Sequence, residues 1–335
     1  MTWRRLVCAA LAAATAAGPL RAQTAAPELR FADLPGWAQE DHAAALAAFR
    51  ETCGVAVDPG MAKACRAGRA AGPLTAPEAR RFFEDNFRLD PAVGTGMLTA
   101  YFAPEYDARR APDGEFSAPV RPKPADLAPG AANPNRAAIE ASPAPDALAW
   151  MRPEELFLLQ VQGSGVLRFP DGRRMKALYT ATNGRPYVAI GGPMRAQGLL
   201  PGAVSAETIR AWLAAHRGPQ AAAVMRLNPR YSFFRLAPDD GRPPAGSAHL
   251  PLPAGRALAI DPAFHPMGEL LWIDADKPVL PGARPSYRRL ALTLDTGSAI
   301  KGPVRADLYL GQGAAAGDEA GRVHHTLRLY RLVPR

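Results

Sequence analysis

Cysteine is scarce in this chain, with only Cys8, Cys53 and Cys65 among 335 residues. No His or further Cys lies near the last two, which argues against a metal site built on them. The formal net charge is +9, yet no segment concentrates Lys and Arg among aromatics, which argues against nucleic-acid binding. No internal repeat is present. The longest apolar run, Leu6 to Gly18, is too short to span a bilayer. Adjacent His324 and His325 would face opposite sides of a strand, so they make no metal pair. No metal or cofactor is called for.

Proline and glycine, by contrast, are abundant, at 35 and 30 residues. That favours many turns and short strands over a helix bundle. A chain of this length makes one large domain or two ordinary ones.

The start reads as an export signal over residues 1–22: Trp3-Arg4-Arg5, an apolar core, then Pro19-Leu20-Arg21-Ala22 before cleavage near Ala22 or Gln23. Cys8 lies too early for lipid attachment, so no lipid anchor is evident. Removal takes away Arg4, Arg5 and Arg21 and no acid, leaving +9 − 3 = +6. In an exported protein, Cys53 and Cys65 read as a disulfide worth roughly 2–4 kcal/mol. Two separate buried thiols are the alternative.

Helical spacing marks Asp41 to Arg50 and Ala76 to Phe87, with the cysteine loop between them. Met97 to Pro104 reads as a strand, and Asp107 to Pro145 carries no periodicity. Strands are expected at Leu156 to Val161 and Tyr187 to Ile190. A hairpin is expected from Val166 to Phe169 and Met175 to Tyr179, around Pro170-Asp171-Gly172. Ser205 should cap a helix over Ala206 to His216. After Asn228-Pro229 and Tyr231 to Phe234, strands follow at Arg256 to Asp261, Leu270 to Ile273, Arg289 to Leu294, Ala306 to Leu310 and Leu327 to Leu332. Short strands joined by glycine-rich loops suggest a barrel.

The stretch LDTGSAIKGPVRADLYLGQG, Leu294 to Gly313, sets Asp295 and Asp307 on either side of a glycine-rich bend. Two carboxylates at strand ends suit acid/base work, because burial or a charged neighbour can hold one protonated.

Five blocks in order resemble the membrane-bound lytic murein transglycosylase A family with its C-terminal 3D domain. They are Leu98–Ala108, Leu159–Gly191, Met225–Arg235, Ala254–Asp274 and Asp295–Gly313. Ala100, Ala103 and Ser298 depart from the Gly, Glu and Gly common there. The resemblance implies a mainly β fold with a few helices, a double-psi β-barrel carrying an inserted second small β-domain. On this reading 24–105 is a helical lead and the first barrel part, 106–235 the insert, and 236–335 the 3D domain.

It further implies cleavage of the β-1,4 bond between N-acetylmuramic acid and N-acetylglucosamine, leaving 1,6-anhydro ends. Asp307 matches the catalytic acid/base, and Asp295 and Asp261 the other two family aspartates. Turn capping by the aspartates' own side chains is the plain alternative for those two. Lys301 would contact the glycan or developing charge, or simply be solvated. Tyr101, Phe102, Tyr179, Tyr187 and Tyr231 would stack on sugars unless they are core, and Gln162 and Gly163 would line the groove unless they form only a turn. The implied partner is the peptidoglycan glycan strand, with cell-wall synthesis or division proteins as further candidates. The expected location is the periplasm, with outer-membrane association as the variant.

Two other readings remain at this point. Asp295-Thr296-Gly297-Ser298 matches the short aspartic-protease motif, but that mechanism needs two such aspartates and only one copy is present. The other is a wall-binding protein without catalysis.

Overall fold

The computed structural model describes residues 29–91, 94–128, 133–202 and 204–335. The export segment 1–22 and Cys8 lie outside the described residues.

Three helices open the described chain: α1 (His42–Thr52), α2 (Pro59–Ala70) and α3 (Ala76–Asn86). Each starts on a side-chain cap. Asp41 and Asp58 accept from the amides of Ala44 and Met61, and Thr75 with Glu78 forms a capping box. The expected cysteine loop is instead α2, because Asp58-Pro59 supplies a cap and a first-turn proline. Cys65 on α2 is joined to Cys53 just after α1, with α carbons 5.5 Å apart.

Strands β1 (Phe87–Pro91), β2 (Gly96–Ala103) and β3 (Glu105–Asp107) follow, then β4 (Ala118–Val120), α4 (Arg136–Ala141) and β5 (Ala149–Met151). Next come α5 (Pro153–Gln162), β6 (Gly165–Arg168), β7 (Arg174–Thr182), α6 (Gly191–Ala196), α7 (Ala206–Ala215), α8 (Pro219–Met225) and β8 (Ser232–Pro238). The chain continues through β9 (Ala257–Ile260), β10 (Leu270–Pro278), β11 (Tyr287–Thr296), β12 (Arg305–Gln312), α9 (Gly313–Ala320) and β13 (His324–Pro334).

The largest sheet runs β1-β13-β10-β11-β9-β12-β2, and β2 pairs back onto β13. Six strands therefore close into the double-psi β-barrel, with β1 as an outer addition. Within the barrel, β9 is parallel to β11 and β2 to β12, and the other contacts are antiparallel. Strand alternation sorts the side chains. Leu271 and Ile273 join Leu98, Leu258, Ala306 and Leu308 in the barrel interior. Leu270 and Trp272 pack outward with Trp37, Phe49, Phe83 and Phe87 of the helical layer.

A second sheet, β3-β6-β7-β8, has its own apolar cluster around Tyr106, Leu156, Leu159, Leu167 and Phe234. The hairpin β6–β7 and the Ser205-capped α7 form as the sequence indicates. Two expected strands do not. Leu156 to Val161 lies in α5, where Pro153, Glu154 and Glu155 supply a helix-starting first turn. A continuous apolar run does not distinguish a buried helix from a strand. Tyr187 to Ile190 has no strand partner; Pro186 lacks a donor, and the Val188 amide donates to Asn228 Oδ1 instead.

Gly96 shows why β2 must begin with glycine. A Cβ there would stand 1.6 Å from the Val304 carbonyl oxygen, whose bond from the Met97 amide starts the β2–β12 pairing.

Candidate active site

Strand β12 lies between β2 and β9, and Asp307 has Thr99 on one side and Ala259 on the other as register partners. Strand β9 continues to β11, where Asp295 pairs with the same Ala259. Thr99, Asp307, Ala259 and Asp295 thus form one row across four strands. The residues flanking Thr99, Asp307 and Ala259 (Leu98, Ala306, Leu308, Leu258 and Ile260) fill the barrel, so alternation turns these three to the outer face, and a register shift between Thr293 and Asp295 brings Asp295 into line with them.

The Thr99 hydroxyl donates to Asp307 Oδ1 and accepts from Arg305 Nη2 at 2.9 Å. Burial pushes the Asp307 carboxyl above its ordinary value; Thr99 and Arg305 oppose that rise and Asp295 adds to it. Asp307 keeps some exposed surface. Its carboxyl is nevertheless enclosed enough that loss of water is the largest effect. That is the protonation bias a general acid requires.

Four donors converge on Asp295. Tyr101 OH donates to Oδ2 at 2.8 Å, and Oδ1 accepts from Ser247 N, Ser247 Oγ and Thr296 N at 2.8–2.9 Å. Tyr101 is register partner to Tyr309, their rings 5.3 Å apart, and burial beside Asp295 raises its phenol well above the usual value. The phenol therefore stays protonated and donates.

Asp261 lies two residues past Ala259, just beyond the end of β9. Its Oδ2 accepts from the Gly302 amide at 2.9 Å and Oδ1 from the Ala263 amide, with Lys301 Nζ at 3.5 Å. The Gly302 bond holds the Asp261 carboxyl below its ordinary value, helped by Ala263 and Lys301. Gly302 has φ +106°, a conformation suited to glycine, so its amide can turn towards Asp261. Asp261 thus anchors the 297–304 connection between Asp295 and Asp307. The Lys301 side chain is 62% exposed.

Gln162 Oε1 accepts from the Phe102 amide at 3.3 Å, tying the end of α5 to β2, and Gly163 ends that helix at φ +91°. Tyr179 is 47% exposed and Tyr187 half-buried. Tyr231 is a correction: at 2% exposure it packs beside Phe233, and its hydroxyl donates to the Pro119 carbonyl, so it offers no free ring face to a sugar. Thr99, Arg305 and Ser247 escaped the sequence reading. Thr99 is two residues before Tyr101, a same-face spacing that could have pointed to it; Ser247 comes from a distant loop with no local signal. Among the described residues, no His, Cys, Asp and Glu group could hold a metal ion.

Comparison with known proteins bears on this geometry. The MltA specific insert domain family matches residues 97–235, and the 3D domain family matches 256–333. Membrane-bound lytic murein transglycosylase A of Vibrio cholerae is 32% identical over 251 residues, covering 71% of this chain and 66% of that protein, so the chain spans just under two thirds of that relative. The crystal structure of membrane-bound lytic murein transglycosylase from Agrobacterium tumefaciens superposes with a TM-score of 0.77 at 32% identity, over 92% of this chain and 97% of that one. Escherichia coli MltA with bound chitohexaose gives a TM-score of 0.68 at 26% identity, over 86% and 90% of the two chains. With both sequence families matched in order and the fold shared, the chain belongs to the membrane-bound lytic murein transglycosylase A family.

Proposed function

We propose that this protein cleaves the β-1,4 bond between N-acetylmuramic acid and N-acetylglucosamine in peptidoglycan, with Asp307 as the single acid and then base. The carrying observation is the desolvated Asp307 carboxyl, raised above its ordinary value on β12, one strand removed from Asp295. Protonated Asp307 gives its proton to the glycosidic oxygen as the C1–O bond breaks. The carboxylate so formed takes the proton of the muramic acid's own C6 hydroxyl, whose oxygen bonds to C1 and closes the 1,6-anhydro ring. No water is consumed. The intramolecular nucleophile is held near C1 by the sugar itself, so no second carboxylate is needed to activate it.

Asp295 fits a supporting role. Its carboxylate is engaged by four donors and bears on Asp307 through charge. That occupancy disfavours the proton-sharing pair of an aspartic protease. The glycan is assigned to the groove between the barrel and the insert, taken as about residues 106–235, where Gln162 meets β2 and Tyr101, Tyr187 and Lys301 line the approach. The oligosaccharide bound to the Escherichia coli relative supports this class of ligand. An exported, periplasmic site of action agrees with the disulfide. No helix among the described residues is long and apolar enough to cross a membrane.

Digestion of purified sacculi, read by mass spectrometry, tests the reading. Soluble 1,6-anhydromuropeptides are expected; reducing ends would mean hydrolysis, and binding without release a non-catalytic module. Asp307→Asn should lower the rate about 10²–10⁴-fold. Activity within about tenfold of wild type would remove Asp307 from the mechanism.

A further inference from the structure

His265 lies in the 261–269 segment and is almost fully buried. Both its ring nitrogens meet acceptors. Nδ1 is 2.7 Å from Glu269 Oε2, and Nε2 is 2.8 Å from the Pro303 carbonyl oxygen. A neutral imidazole carries one N–H and can satisfy only one of these; the imidazolium donates to both. The geometry therefore calls for the charged ring.

The two acceptors belong to different parts of the site. Glu269 leads into β10, and its amide donates to Thr293 Oγ1 of β11. Pro303 follows Gly302, whose amide holds Asp261, and precedes Val304, where β12 begins to pair with β2. The 297–304 connection is the only covalent link between the Asp295 strand and the Asp307 strand. His265 is thus a cross-brace from the β10–β11 side of the barrel to the segment that delivers Asp307.

We propose that His265, as an imidazolium bridging Glu269 and Pro303, is a positioning residue that sets where Asp307 stands relative to Asp295. Its effect on rate rests on the function proposed above. The charged groups around the ring are consistent with this. Glu269 is its partner, and Arg331 of β13 binds the other oxygen of Glu269 while also pairing with Asp90 of β1 at 3.5 Å. Arg331 and burial disfavour the charged ring; the Glu269 and Pro303 bonds outweigh them and hold His265 above the ordinary histidine value. The brace is complete below about pH 6.5 and is released as pH rises through the higher folded value.

The test uses full-length wild-type protein labelled at His and Gly, titrated by NMR. His265 should titrate above about pH 6.5 and the Gly302 amide should move with the same midpoint. A His265 midpoint at or below the ordinary value, or a Gly302 amide indifferent to it, would overturn the proposal. The variant His265→Gln gives a second readout, because a neutral amide reaches one acceptor at any pH. Its kcat/KM should be about tenfold below wild type at pH 5.5, and the deficit should vanish above the His265 midpoint. A ratio constant with pH sinks the idea. Failure to release anhydro products from sacculi would instead strike the proposed function, and the NMR coupling would stand or fall apart from it.

Discussion

Asp295 and Asp307 share one register partner, Ala259, so the two carboxylates flank a single strand rather than facing each other across a cleft. Strand spacing sets their α carbons about 9–10 Å apart. On that face β9 places only the methyl group of Ala259 between them, and the Tyr101 side chain reaches across from β2 to Asp295. Ala259→Val would fill part of this space and deepen the desolvation of Asp307. We expect kcat/KM to fall about tenfold, with a destabilisation of about 1–3 kcal/mol from overpacking. Steady-state kinetics and urea unfolding measure both.

Thr99 restrains the rise that burial imposes on Asp307. In Thr99→Val that restraint is gone, so the carboxyl stays protonated to higher pH. The first chemical step needs the acid form, and kcat/KM declines as pH rises through the Asp307 value. The alkaline decline should therefore move to higher pH in the variant. A pH–rate profile in which the decline moves to lower pH contradicts the assignment.

Gly96 has no room for a side chain against Val304. Gly96→Ala should cost at least about 2 kcal/mol, because backbone rather than a flexible side chain must yield. Thermal unfolding would show it. A variant as stable as wild type would mean that the β2–β12 junction can widen freely.

Two buried histidines make stability depend on pH with opposite signs. Burial lowers His42 to about 4, so the fold holds it neutral. Its stability is intact above the unfolded value of about 6.5 and is lost as pH falls towards 4. His265 is raised, so its contribution is present at low pH and lost as pH rises. Urea midpoints of His42→Phe and wild type should converge or cross between pH 7 and 5 if His42 is responsible for acid sensitivity.

Much of the barrel was legible because its strands are short, alternating and bounded by glycine and proline; Leu270, Tyr287, Arg305 and His324 begin strands at or near the expected places. Asp307 was singled out through the resemblance of its block, and it lies half-buried in the same strand row as Asp295. What the sequence hid is long-range. Leu156 to Val161 has the composition of a strand, and the first turn Pro153-Glu154-Glu155 together with packing under β6–β8 favours a helix. Ser247 reaches Asp295 across 48 positions, and Thr99 reaches Asp307 across 208. Tyr231 shows the converse: an aromatic in a family block whose place is interior.

Strand β13 touches β10 along one edge and both β1 and β2 along the other. The wall beside Thr99 is therefore finished only when His324–Leu327 has emerged and inserted between β10 and β2, the latter more than 200 positions earlier in the chain. Synthesis cannot deliver a working Asp307 gradually. Until that last ribbon is seated, the newborn chain carries every catalytic atom and no enclosure around them. On the proposed function, activity then arrives only with the last strand, and a chain clipped within β13 would be inert however intact its aspartates.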